Sequence, residues 1–526
     1  MQEGQELDKK KFRYVGGERK QSEQQLVGEP IGYFKDAWLR FSKNKASLVA
    51  LGIIAFLVLF SLFAPLFSPY TVAYQDEYYK FRAPKSRLSE RFDWDFWDGC
   101  TEKTFPEHTF LYYQAIGKET GYTPVKNGEY EELLKGRGKY YTFRLDGYAE
   151  IGCVFLSLSG EEYEKVQRYQ DQTGKQVIYP ITSVSLRPNV KDNPQLSLDA
   201  NYWYKTKEVT GVDENGRPSK RKVLAPDLDE RGEFVNIYAP YSNRDGYFSS
   251  VRVEGNTPLY DYAIPNQTGV EVRVNYRAYY EYYHTHVLKD GIDEPYFLFG
   301  TTAAGKDVFT CLGSGARLSF LLAITVSFFN MLIGGIYGAV EGYYGGVADL
   351  FMERFADILS AVPFMIVITL LKMHMGASAQ LWILLIAFFL TGWISMAKRV
   401  RMQFYRFKNR EYVLAARTLG ARDRRLMLKH IFPNAIGTII TGSVLSIPAT
   451  IFSESSLSYL GIINLNTGNM TSVGTLLSGA QPYLTTYPYM ILFPALFICL
   501  LMLSFNLLGN GLRDAFNPTL KNGEGN

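Results

Sequence analysis

Residues 300–307 read Gly-Thr-Thr-Ala-Ala-Gly-Lys-Asp, the G-x4-G-K spacing with which backbone amides and a lysine cradle nucleotide phosphates. That chemistry also needs Ser or Thr after the lysine to reach magnesium, and this chain has Asp307 there. The stretch is therefore not read as a nucleotide site. His284 and His286 could share one face of a strand and ligate a metal, but the chain has only 5 histidines and places no cysteine beside these two. No metal site is expected. No Ser/His/Asp or Cys/His set stands out, and the paired carboxylates Glu161 and Glu162 read as solvated surface, so no catalytic residue is expected either. Two features stay open on sequence grounds. Cys100 and Cys153 are either a disulfide or two buried thiols. Glu454, after a long uncharged run, is either a pathway group or external gate, or an interfacial charge.

The most informative stretch is basic. Residues 398–430 hold 11 Lys and Arg against 2 acidic residues. Within them, residues 411–433 read as two short helices flanking Gly420, which permits a tight turn that other residues resist. Ala415 and Ala416 leave a small surface that another body can press on, with Arg417, Thr418, Leu419, Gly420 and Ala421 completing the element. Leu419, Leu426, Leu428 and Ile431 would be costly if exposed, which implies a partner. A loop held only by anionic lipid would explain the charge but not the Ala-Ala-x3-Gly core.

These residues must be positioned by elements that the bulk composition conceals. A chain of 526 residues with net charge +4, 47% apolar residues and mean hydropathy −0.10 resembles a soluble protein on average. Split by region, residues 1–45 carry net charge +3, residues 46–299 carry −6 and residues 300–526 carry +7. Residues 46–67 are uncharged and apolar; as a helix they reach about 33 Å, enough to cross a bilayer core. A cleaved signal peptide fits poorly, because the preceding segment is too long and no small-x-small site follows. Residues 31–45 read as an amphipathic helix in the membrane interface, with Phe34, Trp38 and Phe41 at helical spacing among basic residues. Further spans are expected at 318–340, 358–375, 381–397, 431–453 and 489–508, and Gly334, Gly338 and Gly342 form a smooth ridge for close helix packing. Residues 68–299 are polar and hold 27 of the 38 tyrosines. Alternation at 270–276, an Asn215-Gly216 turn and a helix near 160–171 make them a β-rich α+β domain.

Six spans put both termini on one side of the membrane. The basic loop 398–430 should be cytoplasmic, and counting spans puts the tyrosine-rich domain outside. The 341–357 segment dissents, with one Arg against four acidic residues. The expected organisation is a cytoplasmic tail with its interfacial helix at 1–45, a first helix at 46–67, an extracytoplasmic domain at 68–299, a membrane core at 300–510 and a cytoplasmic tail at 511–526.

The 411–433 stretch resembles the Ala-Ala-x3-Gly loop of ABC importer permeases. Residues 391–401, 411–434, 453–461 and 508–515 resemble the C-type permease subunits of oligopeptide, dipeptide and nickel importers. So do Gly300-Thr301 with Gly305-Lys306-Asp307, and the 342–346 turn with Asp349, Arg354, Asp357 and Pro363. The resemblance covers 297–520 closely and 31–67 weakly. Leu414 stands where the loop usually begins with Glu, and Thr302, Lys306 and Asn510 also depart from the pattern. The resemblance implies a membrane α-helical protein of the six-helix type I ABC importer fold, with the β-rich domain inserted between helices 1 and 2. It implies a homologous B-type permease, two cytoplasmic ATPases that bind ATP and magnesium, and a substrate-binding lipoprotein as partners, in a bacterial plasma membrane. The chain itself would need no cofactor, bind no nucleic acid and perform no covalent catalysis. Residues 415–421 would form the coupling helix. The competing reading is a membrane-anchored receptor whose external domain reads a ligand; a membrane enzyme is a third.

Overall fold

The computed structural model describes residues 32–92, 94–95, 97–135, 138–179, 204–212, 218–226, 251–254, 257–260, 263–265, 270–466 and 470–516. Asn44 separates the first two helices: α1 (Tyr33–Lys43) ends there, and its side chain accepts the Ser47 amide at 3.2 Å to start α2 (Lys45–Phe67). Helix α1 buries Ala37 and Phe41 and exposes Phe34, Trp38 and Leu39.

Between α2 and the next long helix lie α3 (Arg87–Phe92), α4 (Glu107–Thr120), α5 (Gly160–Thr173) and α6 (Tyr276–Tyr282). Strands β1 (Cys100–Pro106), β2 (Glu131–Lys135) and β3 (Gly138–Asp146) form an antiparallel sheet in the order β1-β3-β2. A second sheet joins β4 (Cys153–Leu158), β5 (Ile178–Tyr179), β10 (Ala263–Pro265) and β11 (Val270–Asn275). Two hairpins complete the set: β6 (Tyr204–Val212) with β7 (Pro218–Pro226), and β8 (Val251–Glu254) with β9 (Thr257–Tyr260). The alternation at 270–276 is a strand whose Val272 and Val274 are fully buried, but Tyr276 begins a helix instead of ending that strand. The Asn215-Gly216 turn lies outside the described residues; the strands on either side pair in register from Val212↔Pro218 to Tyr204↔Pro226. Glu162 is not merely solvated: it closes a capping box with Ser159 at the start of α5, while Glu161 pairs with Lys165 at 2.7 Å. No disulfide links Cys100 to Cys153. The two open strands of different sheets, Cys100 opposite Asp146 and Cys153 opposite Asn275, and burial raises the Cys100 thiol above its ordinary pKa.

The remaining helices follow. They are α7 (Val308–Tyr344), α8 (Gly346–Ala361), α9 (Phe364–Met375), α10 (Gln380–Thr391), α11 (Trp393–Lys408), α12 (Glu411–Thr418), α13 (Asp423–Arg425), α14 (Phe432–Tyr459), α15 (Val473–Ala480) and α16 (Tyr489–Phe516). Among the described residues, five helical stretches are long and apolar enough to cross a membrane, and a bent pair makes up to six. That pair corrects the expected third span. It is not one helix over 358–375 but α8 and α9, bent by 72° at Val362-Pro363, where proline disfavours helix in the residue before it. The fourth span is longer than expected, because Gly392 keeps helical angles and α10–α11 run on through Lys408. Part of the basic "loop" is therefore helix.

The core has three parts along α7. Near its start it packs with α2, α14 and α16 through Leu57, Phe320, Ile451 and Leu501. Further along it meets α9 and α10 through Val326, Ile368 and Leu384. At its end Tyr343 joins Val400, Phe404, Val413, Leu426 and Ile431.

Candidate functional site: the 411–433 loop and the bundle behind it

The loop is built on an apolar root. Val413, Leu426 and Ile431 are fully buried against α11 and the start of α14. Two of the four apolar residues expected to need a partner are thus satisfied within the chain; Leu419 and Leu428 are not. Leu419 is 88% exposed. Gly420 follows at φ +82°, a conformation that glycine adopts without strain, and its amide donates to the Arg417 carbonyl at 3.0 Å while Ala421 donates to Ala416 at 3.1 Å. Ala415, Arg417 and Thr418 are exposed, and Ala416 and Ala421 are half-buried against the root.

Tyr343, which sequence reasoning missed, fixes this element to α7. Its hydroxyl donates to Asp423 at 2.5 Å and accepts from Arg417 at 3.2 Å. One tyrosine thus bridges both sides of the Gly420 turn.

The ridge on α7 explains how α11 comes so close. A Cβ on Gly334 would lie 2.5 Å from the Trp393 carbonyl oxygen, on Gly338 2.2 Å from that of Ala397, and on Gly342 2.7 Å from that of Arg401. The same crossing resolves the acidic 341–357 segment. Arg401 grips Asp349 with two hydrogen bonds of 2.7 and 2.9 Å and Glu353 with two of 2.8 and 3.0 Å, and lies 3.4 Å from Glu341. Lys398 pairs with Asp357 at 3.0 Å. All four acidic residues are therefore matched to cations of α11. The complementary charge of 341–357 and 398–408 was the available signal.

Glu454 sits inside the helix bundle. It is fully buried between α7, α14 and α15, and its carboxylate accepts from Ser319 at 3.1 Å, Ser458 at 3.0 Å and Ser455 at 3.4 Å. Hydroxyl donors satisfy a buried carboxylate without a counter-cation. His284, set aside above as a metal ligand, uses both ring nitrogens on protein groups, Tyr74 at 3.0 Å and Asp290 at 2.7 Å.

The G-x4-G-K turn holds another segment of the chain. A Cβ on Gly305 would sit 1.7 Å from the Asp76 carbonyl oxygen. Asp76 donates its amide to Gly305 at 3.1 Å, and Phe81 its amide to Thr302 at 3.3 Å. The Thr301 hydroxyl donates to Tyr79 at 2.6 Å and accepts from Arg82 at 2.7 Å. Asp307 caps α7 by accepting the amides of Phe309 and Thr310. The turn is filled by protein, which removes any room for phosphate.

Residues 330–522 match the family described as binding-protein-dependent transport system inner membrane component, and residues 32–84 match the N-terminal TM domain of oligopeptide transport permease C. The oligopeptide transport system permease protein OppC of Bacillus subtilis is 44% identical over 223 residues, which are 42% of this chain and 72% of that protein. The dipeptide transport system permease protein DppC of the same organism is 41% identical over 224 residues, 42% of this chain and 69% of that one. This chain belongs to the C-type oligopeptide/dipeptide permease family of ABC importers. As a family member it is a multi-pass membrane protein with a type I ABC importer permease fold and a transport role. Among solved structures, a chain of the MetNI methionine ABC transporter in inward-facing form aligns with TM-score 0.32 at 16% identity, over 39% of this chain and 96% of that one. Neither family match reaches residues 85–329, within which every strand described above lies.

Proposed function

We propose that this permease is one of two membrane subunits of an ATP-driven oligopeptide importer, paired with a homologous B-type permease. Residues 411–433 are its coupling element. They dock in a groove on a cytoplasmic ATPase, and closure of two such ATPases on ATP and magnesium turns the bundle between inward- and outward-facing states. The chain supplies no nucleotide site and breaks no covalent bond. Both termini face the cytoplasm, and the strand-bearing region lies outside, where it meets the lipoprotein that delivers peptide. Relatives named for oligopeptide and dipeptide transport support a peptide cargo.

The observation that carries this reading is Leu419. A leucine 88% exposed gains roughly 1.5–3 kcal/mol when a partner buries it. Its mount is fixed by the buried root and by Tyr343, as a part that transmits force must be. In the assembled complex, Leu419→Asp should cut peptide uptake at least tenfold while ATP hydrolysis continues, and should change stability by under about 0.5 kcal/mol. Gly420→Pro, which forbids φ +82°, should uncouple in the same way. Undiminished uptake in both variants would defeat the assignment. Ala416 is a poorer probe, because a large side chain there also presses on the root.

A further inference from the structure

A cavity of about 500 Å³ opens where the strand-bearing region meets the turn before α16. Small ligands fill cavities of roughly 300–1,000 Å³. Four segments wall it: residues 77–83, the β1–α4 unit through Lys103, Tyr112 and Tyr113, the 147–154 stretch with Glu150 and Ile151, and Tyr487 ahead of α16. The cavity thus straddles the strand-bearing region and the helix bundle.

Its charges are unevenly matched. Arg82 on the floor is spent on Glu150 and on the carbonyls of Gly147 and Tyr78, at 2.5 and 3.0 Å. Lys80 lies 3.5 Å from Glu77 in an exposed pair, and such pairs are weak and readily exchanged. Lys103 is the lining cation with no acidic partner within 4.0 Å among the described residues, and it is half-buried in the wall. In the same lining, burial and the nearby Glu150 push the Tyr113 hydroxyl up to about 12, so it remains a hydrogen-bond donor.

Phe81, on the opposite wall, has φ +57°, and strain of this kind collects at ligand sites. Its ring stacks on Tyr487 with centroids 4.7 Å apart and meets Tyr483 edge-on at 4.7 Å. The site therefore offers an unmatched ammonium, an exchangeable carboxylate at Glu77, and aromatic rings in the same lining. A ligand with a free carboxylate, an amino group and apolar side chains complements all three.

We propose that this cavity binds short peptides by their free carboxyl terminus, with the carboxylate on Lys103 and side chains against Tyr112, Tyr113 and Phe81. This rests on the reading of the chain as a peptide-importer subunit and gives the strand-bearing region a holding site on the way in.

The test is calorimetric titration of the full-length chain in lipid nanodiscs, without ATPases or binding protein, using the tripeptide Ala-Phe-Ala and its C-terminal amide. The acid should bind about tenfold more tightly than the amide, since one charge-assisted hydrogen bond separates them. Lys103→Met should remove that preference and leave binding of the amide unchanged, with an unaltered melting curve as the control for folding. No binding of either peptide, or a Lys103→Met chain that keeps the preference, overturns the proposal. Peptide uptake by the assembled complex is a separate readout. Uptake without binding by the isolated chain sinks only this site, whereas binding without uptake sinks only the transport reading.

Discussion

At its Val308 end, α7 is joined to the 76–82 segment by hydrogen bonds around one buried carboxylate and by buried tyrosine rings, whereas at its Tyr344 end it is joined to α11 and the 411–433 loop largely by ion pairs. The first joint centres on Asp76. Its carboxylate accepts from the Tyr276 hydroxyl at 2.6 Å, from Tyr74 at 3.2 Å and from the amides of Tyr78 and Tyr79, both at 2.9 Å. Tyr79, Tyr148, Tyr280 and Phe297 are packed around it. The second joint centres on Arg401 and its three carboxylates. Both use glycines to bring backbones together, but they differ in what separation would cost. Opening the first exposes rings and strands polar groups in a dry core. Opening the second separates ion pairs whose charges can find water or other partners once they are apart. The end that carries the exposed Leu419 is thus the end whose contacts can be re-paired.

The largest effects should come from filling the glycine contacts. Gly305→Val places a side chain on the Asp76 carbonyl and forces a β-branched residue to φ +73°. The left-handed backbone and the overpacking together should cost about 2–5 kcal/mol. Gly338→Val, blocked by the Ala397 carbonyl, should damage the other joint. Gly335→Val, on the same helix with nothing within 4 Å of the new carbon, is the control. Denaturation of the three variants in detergent checks this. A Gly305→Val chain as stable as Gly335→Val would show that the first joint does not bear on stability.

A smaller loss is expected from Arg401→Met, which leaves Asp349 and Glu353 without their cation. Removing one partner of a buried pair costs about 3–5 kcal/mol, and the remaining 20% exposure of Arg401 lowers this to about 2–4 kcal/mol. Arg401→Lys should recover only part of the loss, because an ammonium cannot form two paired bonds to each of two carboxylates. Added salt should narrow the gap between wild type and Arg401→Met while leaving Gly305→Val untouched, since screening acts on the charged joint alone. A gap that does not move with salt would remove the distinction between the two ends.

The two ends were unequally legible in the sequence. The Tyr344 end could be read because its signals are local: a glycine ridge at helical spacing, a run of basic residues and Ala-Ala-x3-Gly. What escaped was pairing across distance, such as Tyr343 with Asp423 and Arg401 with Asp349, which a single sequence encodes only as complementary charge. The break at Pro363 escaped because the expected third span was drawn through it. The Val308 end was recognised as not being a phosphate site and as one of the motifs of the permease resemblance, but not as a joint. Its actual role, receiving residues 76–82 more than two hundred positions away, depends on backbone contacts that leave no pattern beyond the two glycines. Glu454 was placed by counting residues along a helix, and counting cannot reveal that serines from α7, α14 and the start of α15 converge on it.

The mildest test uses pH, and its sign follows from burial. Burial raises the pKa values of Tyr70, Tyr74, Tyr79, Tyr276 and Tyr280, with neighbouring Asp76 or tyrosine charges adding to the rise. In the unfolded chain each would titrate at about 10. The folded state therefore keeps protons that the unfolded state releases. Their contribution to stability is complete below about pH 10 and falls as pH rises through and beyond it, by up to about 1.4 kcal/mol per pH unit for each tyrosine. Near-ultraviolet absorbance of tyrosinate should rise in two steps: exposed tyrosines first, then a cooperative step together with loss of the near-ultraviolet dichroism of the packed rings. Gly305→Val should bring the second step to lower pH, and Arg401→Met should leave it where it is. A single smooth titration near pH 10 in the wild type would mean that the rings around Asp76 are open to water, and that the Val308 joint is no firmer than the charged one.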